Sequence, residues 1–503
     1  MSAEPEWTER VDKRGLDPLG MQNAGVALYQ SLVPGISNVT LRIRYYGYYC
    51  WVSDAYAREK GSTDFAEWRS WVRRAEALFA LAASYHGGEG GVGGVEWADR
   101  RLSLEEREID FAQAASNDTN VTRYLRQSLG VFGGAYYSQM VELGLFVQGG
   151  HGIQRASNGV GLAAAQAFRE AIGDEVEALL IECVKSARVT PAILEELWPI
   201  LPSQILEDSD ELAIYDQLLL NTTGAEATTG DLSRMASLKL VLATSKAIAG
   251  RPDPMAIRWH LFSTPSFGDD DLDRQRLRWE AYHCHDFMQI AAAAFLEWAL
   301  ALMGEQDAGL TLAEIRGEIW ERLGSDDSAD ERWSAYQSSI SSKTFDYRGR
   351  WSNLTGRRGT AEGKAWDAIS TLAALFGRIQ SNERLREVMR RELPVSGNAR
   401  SIVTEMNWFS SRADEPVRDL VAAYVIERVV LRHSWVAMQK LRRQKDYTFL
   451  FEVRDGRLLR RNGYAPVATT PRLNPAIQFL VDVGLVDDDG LTERAAALLG
   501  ETA

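Results

Sequence analysis

The sequence predicts a mainly α-helical, multi-domain protein with winged-helix-like elements, the clearest of them at the C-terminus. Apolar residues recur at helical spacing along most of the chain, whereas segments with the alternating pattern of half-buried strands are scarce. The 503 residues are 45% hydrophobic and 10% aromatic, which is enough to bury large cores. At about 100–200 residues per domain, a chain of this length is expected to form several domains.

The segment 231–250 shows the helical pattern most completely. Asp231 is placed to cap a helix, and Gly250 stands where such a helix would end. The apolar stripe of this helix consists of Met235, Leu238, Val241, Leu242 and Ile248. Comparable patterns predict further helices at about 63–84, 161–172, 174–187, 272–303, 312–323, 363–380 and 415–443.

A winged-helix-like pattern occurs twice. Segments 136–168 and 474–500 each contain a helix that ends in a small-residue turn, a short polar segment and a second apolar helix. Gly144 and Gly484 are expected to leave the first helix at positive φ. The second copy follows 447–461, where two short apolar runs flank an Asp-Gly hairpin turn. These features predict a winged-helix-like domain at the C-terminus and a possible second element near the N-terminus.

Clusters of Gly, Thr, Asp and Ser divide the chain. They occur at 86–94, 221–230, 304–309 and 324–331. We expect four regions: an N-terminal helical domain (1–172), a central helical domain (173–325), a basic loop and helical region (326–414), and a long helix followed by the winged-helix-like domain (415–503).

The net charge and the cysteine spacing argue against several classes of protein. A net charge of −14 argues against a general nucleic-acid coat, so any such contact must use local basic patches. Cys50, Cys183 and Cys284 are widely spaced, which suggests neither a disulfide framework nor a cysteine zinc site. The N-terminal residues lack the apolar core of a signal peptide, and the apolar run 287–303 is expected to be a buried helix. These features predict a soluble cytoplasmic protein without membrane contact.

The stretch "TLRIRYYGYYCWV" (40–52) combines two arginines with four tyrosines. Ser37 or Asn38 is expected to cap a helix that begins near Val39–Thr40 and continues to about Arg58. One interpretation makes it a packing helix, with tyrosines in the core and arginines paired to acids such as Asp17. The other makes it an exposed row that stacks on bases or holds a phosphate. We favour the packing helix.

The surrounding segment 15–52 resembles the N-terminal segment of uncharacterised bacterial proteins encoded in antiviral defence islands. The matching residues are Asp17, Leu19, Gly20, Leu32, Pro34, Gly35, Ser37, Arg42, Arg44 and Tyr45. The resemblance covers roughly the first 60 residues and a later Leu-Gly-Leu element. It implies a defence setting and a role as one subunit beside other proteins, and it implies no catalytic residues.

One histidine cluster raises an alternative with metal chemistry. His283, His285 and Asp286 lie close together in sequence, and His260 precedes them by about 25 residues. Imidazole and carboxylate ligands suit a divalent cation, and this spacing resembles that of HD-type metal phosphohydrolases. The apolar lead-in that such enzymes place before their His-Asp pair is missing here. We therefore expect no metal or other cofactor and no catalytic residues.

Two basic patches run against the overall negative charge. The first, 343–364, interleaves basic and aromatic residues with glycines and is expected to be a loop. The second, 440–461, leads into the predicted winged helix. Exposed arginines among aromatic side chains are suited to tracking a phosphate backbone and stacking on bases. The predicted nucleic-acid-binding residues are Lys343, Arg348, Arg350, Trp351, Arg357, Arg358, Arg442, Arg443, Arg457, Arg460 and Arg461.

The sequence therefore favours a non-catalytic subunit of a bacterial antiviral defence system that binds nucleic acid and partner proteins. A metal-dependent phosphohydrolase or nuclease is one alternative. A kleisin-like scaffold that bridges partner proteins is another, since either basic patch could equally be a solvated face or a docking site. Base reading in a DNA groove is poorly supported, because the expected recognition helix, "NPAIQFLVDVG", contains no lysine or arginine.

Overall fold

A computed structural model of the chain describes residues 17–116, 124–125, 127–149 and 152–499. The N-terminal residues, for which the sequence predicts no signal peptide, lie outside the described part. The protein is 62% helix and 4% strand, which confirms the mainly α-helical class. Residue contacts group the chain into two compact units. Unit 1 comprises Met1–Leu28 and Leu277–Thr469, and unit 2 comprises Tyr29–Arg276 and Thr470–Ala503. The four consecutive regions stay a prediction from the sequence.

The first part of the chain is built from short and medium-length helices. They are α1 (Gln22–Leu32), α2 (Arg44–Glu59), α3 (Phe65–Tyr85), α4 (Val95–Leu102), α5 (Tyr137–Glu142), α6 (Val160–Ile172), α7 (Asp174–Ser186), α8 (Pro191–Glu196), α9 (Asp210–Leu220), α10 (Thr229–Ile248) and α11 (Pro254–Ser263). Strands β1 (Ile109–Asp110) and β2 (Arg188–Val189) pair antiparallel, with Ile109 opposite Val189. A π-helical turn, Phe132–Tyr136, leads into α5, and 3₁₀ turns lie at Ala112–Ala115 and Trp198–Ile200.

The second part contains the longest helix. Its helices are α12 (Asp270–Gly304), α13 (Leu312–Leu323), α14 (Trp333–Ser339), α15 (Tyr347–Thr355), α16 (Ala361–Gln380), α17 (Glu383–Glu392), α18 (Ile402–Ser410), α19 (Val417–Tyr424) and α20 (Leu431–Gln444). The π-helical segment Val425–Val430 joins α19 to α20. Strands β3 (Phe451–Arg454) and β4 (Arg457–Arg460) form an antiparallel hairpin. The chain continues with α21 (Leu473–Asp482), the strand pair β5 (Val486–Asp487) and β6 (Gly490–Leu491), and α22 (Glu493–Leu498).

Capping side chains explain where several helices begin. Helix α10 is capped by Thr228 rather than by Asp231, because the Thr228 hydroxyl accepts from Asp231 N and the Asp231 carboxylate accepts from Thr228 N. This reciprocal pair moves the start three residues earlier than the sequence prediction. Helix α2 begins at Arg44, later than predicted, because Ser37 and Thr40 form a separate turn. In that turn Ser37 N donates to Thr40 Oγ1 at 2.8 Å.

Among the residues that the structure describes, one helix is long and apolar enough to cross a membrane. It is α12, and 83% of its most apolar window is buried inside the protein. Burial on all sides is what a core helix of a large domain requires. The prediction of a buried helix over 287–303 is thus confirmed.

The winged-helix prediction is not confirmed, although the helices and strands expected at the C-terminus occur in the expected order. Gly144 and Gly484 follow their helices at φ +72° and +67°, and α21, the β5–β6 pair and α22 follow one another as expected. The hairpin β3–β4, however, belongs to unit 1, whereas these later elements belong to unit 2. A Cβ on Gly490, at the start of β6, would lie 2.8 Å from Gly250 N, so this strand pair packs closely against the end of α10. A winged-helix domain is therefore not confirmed.

The core of unit 2 contains a buried carboxyl group, Glu76 of α3. Its oxygens accept hydrogen bonds from Tyr49 Oη (2.8 Å), Phe132 N (2.6 Å) and Val131 N (3.1 Å). Burial nevertheless raises the pKa of Glu76 from its usual 4.5 to about 7, because removing the carboxylate from water outweighs these bonds.

This raised pKa sets an expected pH dependence of stability. Between pH 4.5 and 7 the folded state holds a proton that the unfolded state has released, so stability is highest below that window and falls as pH rises through it. In the wild-type protein, this group should lower the free energy of unfolding by up to about 3 kcal/mol as the pH rises through the window, and Glu76→Gln should abolish that fall. Denaturant unfolding of both proteins from pH 4 to 8 measures the difference. An unchanged pH slope in the variant would contradict the assignment.

Candidate nucleic-acid interface

The tyrosine-rich stretch at the start of α2 is a packing element. Tyr45, Tyr46, Tyr48 and Tyr49 are all buried in unit 2. Arg44 is also buried and forms a two-point ion pair with Glu211, with both nitrogen–oxygen distances 3.0 Å. The packing interpretation is correct, and this stretch offers no exposed Arg/Tyr row.

The neighbouring Arg42 is neutralised as well. Its Nε lies 3.0 Å from an Asp482 carboxylate oxygen, and its Nη1 lies 3.0 Å from Glu89 Oε2. Asp17, the suggested partner of these arginines, instead accepts hydrogen bonds from Met21 N and Gln22 N, so it caps α1. The acid suggested from the sequence was therefore wrong, although the pairing itself is present.

The side chains of the alternative metal site are engaged by the protein. His285 Nδ1 accepts from Ile402 N, and its Nε2 lies 3.0 Å from Met21 O. Asp286 accepts from both the amide and the hydroxyl of Thr469. Within the described ranges no group of three or more His, Cys, Asp or Glu side chains is arranged to hold a metal.

Two further observations bear on the same alternative. His260 lies in unit 2, whereas His283, His285 and Asp286 lie in unit 1. His283 is buried, and its ring stacks on Trp279 at a centroid distance of 5.7 Å. These side chains serve packing and hydrogen bonding, and they provide no support for a hydrolase.

The first basic patch is a loop only in part, because its middle forms helix α15. Asp346 caps α15 by accepting from Gly349 N at 2.9 Å, and nine residues from Tyr347 onward are helical. Trp351 is only 5% exposed and packs edge-on against Phe287, with a centroid distance of 5.1 Å. Burial of this large side chain outweighs the cost of about 1 kcal/mol for a helical glycine. Trp351 is therefore a core residue and cannot stack on a base.

Charge in this patch is partly neutralised. Arg350 is ion-paired with Asp367, and the buried Lys364 lies 3.1 Å from a Glu297 carboxylate oxygen. Four side chains remain exposed and form no ion pair or hydrogen bond with any described residue. We call them the α15 surface: Lys343, Arg348, Arg357 and Arg358.

The positive charge of the second patch, 440–461, is also partly neutralised by ion pairs. Arg457 pairs with Glu314 at 2.7 Å, and Arg461 pairs with Glu452 at 2.7 Å. The guanidinium of Arg460 lies against Gly304, the last residue of α12. Among the described residues no carboxylate lies within ion-pair distance of four exposed cations. We call them the α20 surface: Arg442, Arg443, Lys445 and Arg460.

One aromatic residue that the sequence did not single out is placed for stacking. Tyr447 is 52% exposed, and the guanidinium of Arg461 lies 4.5 Å from the centroid of its ring. The signal in the sequence is weak, since an aromatic flanked by basic residues is common. Tyr447 is the aromatic of this patch with an accessible ring, because Phe451 is buried.

Comparison with protein-family models, curated proteins and solved structures finds no match to this chain. A function must therefore be inferred from the arrangement of charged side chains in the two basic patches. Helix α13 pairs with residues of both basic patches: Glu314 in its first turn pairs with Arg457, and Arg322 near its end lies 3.6 Å from Glu362. These two positions are about 12 Å apart along the helix, and their charges are paired. The α15 and α20 surfaces are thus two separate clusters of uncompensated positive charge on unit 1.

Proposed function

We propose that the protein is a non-catalytic adaptor that binds the phosphate backbone of a nucleic acid through unit 1. The supporting observation is the lack of carboxylate partners for the cations of the α15 and α20 surfaces, in a chain with a net charge of −14. An acidic protein repels nucleic acid unless positive charge is concentrated locally. Arginine and lysine side chains without internal partners are free to replace the counterions of phosphate groups.

The chemistry favours backbone contact over base reading. Sequence-specific readout requires side chains that reach base edges from an element lying in a groove. Helix α21, the expected recognition helix, has no lysine or arginine, and its Asp482 is engaged by Arg42. Trp351 is buried, so among the described aromatic residues of the two basic patches Tyr447 supplies the exposed ring. We therefore propose binding with little sequence preference.

The setting of this proposal comes from the N-terminal resemblance. Proteins encoded in antiviral defence islands commonly act beside other gene products, and the resemblance implies the same for this chain. We propose that it works in the cytoplasm as a subunit that holds nucleic acid for a partner protein. Plaque assays with and without the gene and its neighbours would test the setting, and equal phage sensitivity would contradict it.

Direct binding measurements test the interaction itself. Fluorescence anisotropy with a labelled oligonucleotide should show about a hundredfold loss of affinity in Arg357→Gln/Arg358→Gln, since each of the two lost charged contacts contributes about 1.5 kcal/mol. The salt dependence should fall by about one unit of slope per lost contact. The matched control is Arg384→Gln/Arg390→Gln, which removes the same charge from α17 outside both surfaces.

Equal losses in the two double variants would mean that only net charge matters, and the assignment of the α15 surface would be wrong. Absence of binding by the wild-type protein at low salt would instead favour a scaffold that contacts proteins alone.

A further inference from the structure

A cleft of about 940 Å³ lies in unit 1, outside the α15 surface and at the inner edge of the α20 surface. One wall is formed by α20, another by residues 394–400, and a third by the first turn of α1. Several lining residues, including Asn398 and Gln444, are exposed, so the cleft is open to solvent. Its size falls in the range of about 300–1,000 Å³ that is typical of small-molecule sites.

The cleft is lined by more basic than acidic side chains. Arg400, Arg432, Lys440 and Arg443 are its four basic residues, and Asp17 and Glu392 are its two acidic ones. In the part of the chain that the structure describes, neither Arg400 nor Arg443 forms an ion pair or a side-chain hydrogen bond. The Nε of Arg400 is buried and has no hydrogen-bond partner. Such a donor costs about 1–3 kcal/mol when it stays unsatisfied.

The two acidic residues of the cleft are committed elsewhere. The Asp17 carboxylate accepts from the backbone amides of Met21 and Gln22. Glu392 lies 3.1 Å from the guanidinium nitrogens of both Arg278 and Arg391. Among the described residues, neither of these carboxylates therefore forms an ion pair with the four basic residues of the cleft.

Three side chains of α20 hold the floor of the cleft in place. Lys440 Nζ donates to Asp17 O at 2.9 Å, and Arg432 Nε donates to Leu19 O at 2.9 Å. His433 Nδ1 lies 3.1 Å from Pro18 O, while its Nε2 accepts from Leu450 N. Burial lowers the pKa of His433 to about 4, so the ring is neutral and can serve as donor and acceptor at once. Three successive backbone carbonyls are therefore fixed by one helix.

The electrostatics of Arg432 match this picture. Burial, and then the nearby charge of Arg400, lower its pKa to about 10. Two guanidinium groups with this mutual influence repel each other, and the nearby carboxylates of Asp17 and Glu405 offset only part of that repulsion. An anion placed between them would be favoured by both.

We propose that this cleft is a binding site for a nucleotide, with the phosphates held by Arg400, Arg432 and Arg443 and the base against Trp435. Arginine forks suit phosphate oxygens. Trp435 is 42% exposed, and Arg432 lies over its ring at 4.3 Å from the centroid. Gln22, Asn398 and Gln439 add amide groups that can bond to a base or sugar. The cleft shares Arg443 with the α20 surface, whereas Arg400 and Trp435 belong to neither of the proposed nucleic-acid surfaces.

Calorimetric titration of the full chain with the four common ribonucleoside triphosphates and with inorganic tripolyphosphate tests the site. At least one nucleotide should bind, and Arg400→Gln should weaken that binding by tenfold or more. Trp435→Leu should weaken the nucleotide by several-fold and leave tripolyphosphate unchanged, because only the nucleotide has a ring to stack. Arg384→Gln, an exposed arginine on α17, is the matched control and should bind as the wild type does.

Stability separates loss of the site from loss of the fold. Arg400→Gln removes a charge without an internal partner, so its Tm without nucleotide should equal or exceed that of the wild type, while the nucleotide-induced rise in Tm disappears. No binding by the wild-type protein at millimolar nucleotide, or full binding by Arg400→Gln, would overturn the proposal.

A further comparison identifies the source of the nucleotide. A 5′-phosphorylated oligonucleotide and its unphosphorylated form are titrated beside the free nucleotides. If oligonucleotide binding requires both Arg400 and the terminal phosphate, the ligand of the cleft is the end of a strand. If only the binding of free nucleotides requires Arg400, the ligand is a separate small molecule. If Arg357→Gln/Arg358→Gln loses oligonucleotide binding but keeps nucleotide binding, the α15 surface and the cleft are separate sites. The proposed nucleic-acid function and the proposed nucleotide site can then be accepted or rejected one at a time.

Discussion

Replacing Arg44 by methionine is expected to lower the free energy of unfolding by about 3–5 kcal/mol, which is among the largest effects of any single substitution in this protein. Arg44 is fully buried, and its guanidinium bonds to both carboxylate oxygens of Glu211 and to the carbonyls of Pro199 and Leu201. Methionine would leave the Glu211 carboxylate in the core without a counter-charge. Urea unfolding followed by far-UV circular dichroism measures the change.

A double-variant cycle identifies the cause. In Arg44→Met/Glu211→Leu no buried charge is left unpaired, so the pair should lose less stability than the sum of the two single variants. Arg58→Met is the control, because Arg58 forms ion pairs on the partly exposed face of the same helix, and its loss should cost about 1 kcal/mol or less. Additive losses in the cycle would contradict the assignment.

The second large effect is expected at Trp351. Trp351→Ala should cost about 3–5 kcal/mol, because it opens a cavity beside Phe287 in the core of unit 1. Trp351→Phe retains part of the ring and should cost less. Thermal unfolding of the two variants gives the comparison.

Nucleic-acid affinity separates this structural role from the stacking role that the sequence suggested. At a temperature where both variants are folded, their affinity should match that of the wild type, since the indole is not accessible to a base. A stable Trp351→Ala protein that has lost affinity would restore the stacking interpretation.

The sequence was a good guide to helices because their signals are local. The pattern over 312–323 matched α13 to the residue, since Thr311 and Glu314 form a capping box ahead of a clear apolar stripe. The hairpin of β3 and β4 was likewise visible in its Asp-Gly turn. Helix α15 was missed because three glycines outweighed the capping Asp346 in a local reading, whereas burial of Trp351 decided the conformation.

The sequence could not predict which charged side chains form ion pairs, because the partners are far apart along the chain. Arg44 and Glu211 are separated by 167 positions, and Arg457 and Glu314 by 143. No local pattern tells a neutralised arginine from a free one. The eleven residues proposed for nucleic acid therefore contained three paired arginines and one core tryptophan, and the rest could be recognised as unpaired only in the fold.

The cleft was missed for a related reason. Its lining comes from segments near residues 17–27, 392–400 and 432–444, and its cations from the last two, neither of which is strongly basic over its whole length. Arg400 lies in a loop and forms no ion pair among the described residues, because its nearby carboxylate, Glu405, is paired with Arg428. The resemblance motif did include Asp17 and Gly20, both of which line the cleft.

The most direct test of the central claim is the salt dependence of nucleic-acid binding by the wild-type protein. Seven or eight cations without internal partners should release counterions on binding, so log K should fall with log salt concentration at a slope of about −5 to −7. A slope near zero, or no binding at 50 mM salt, would show that these arginines and lysines do not meet phosphate.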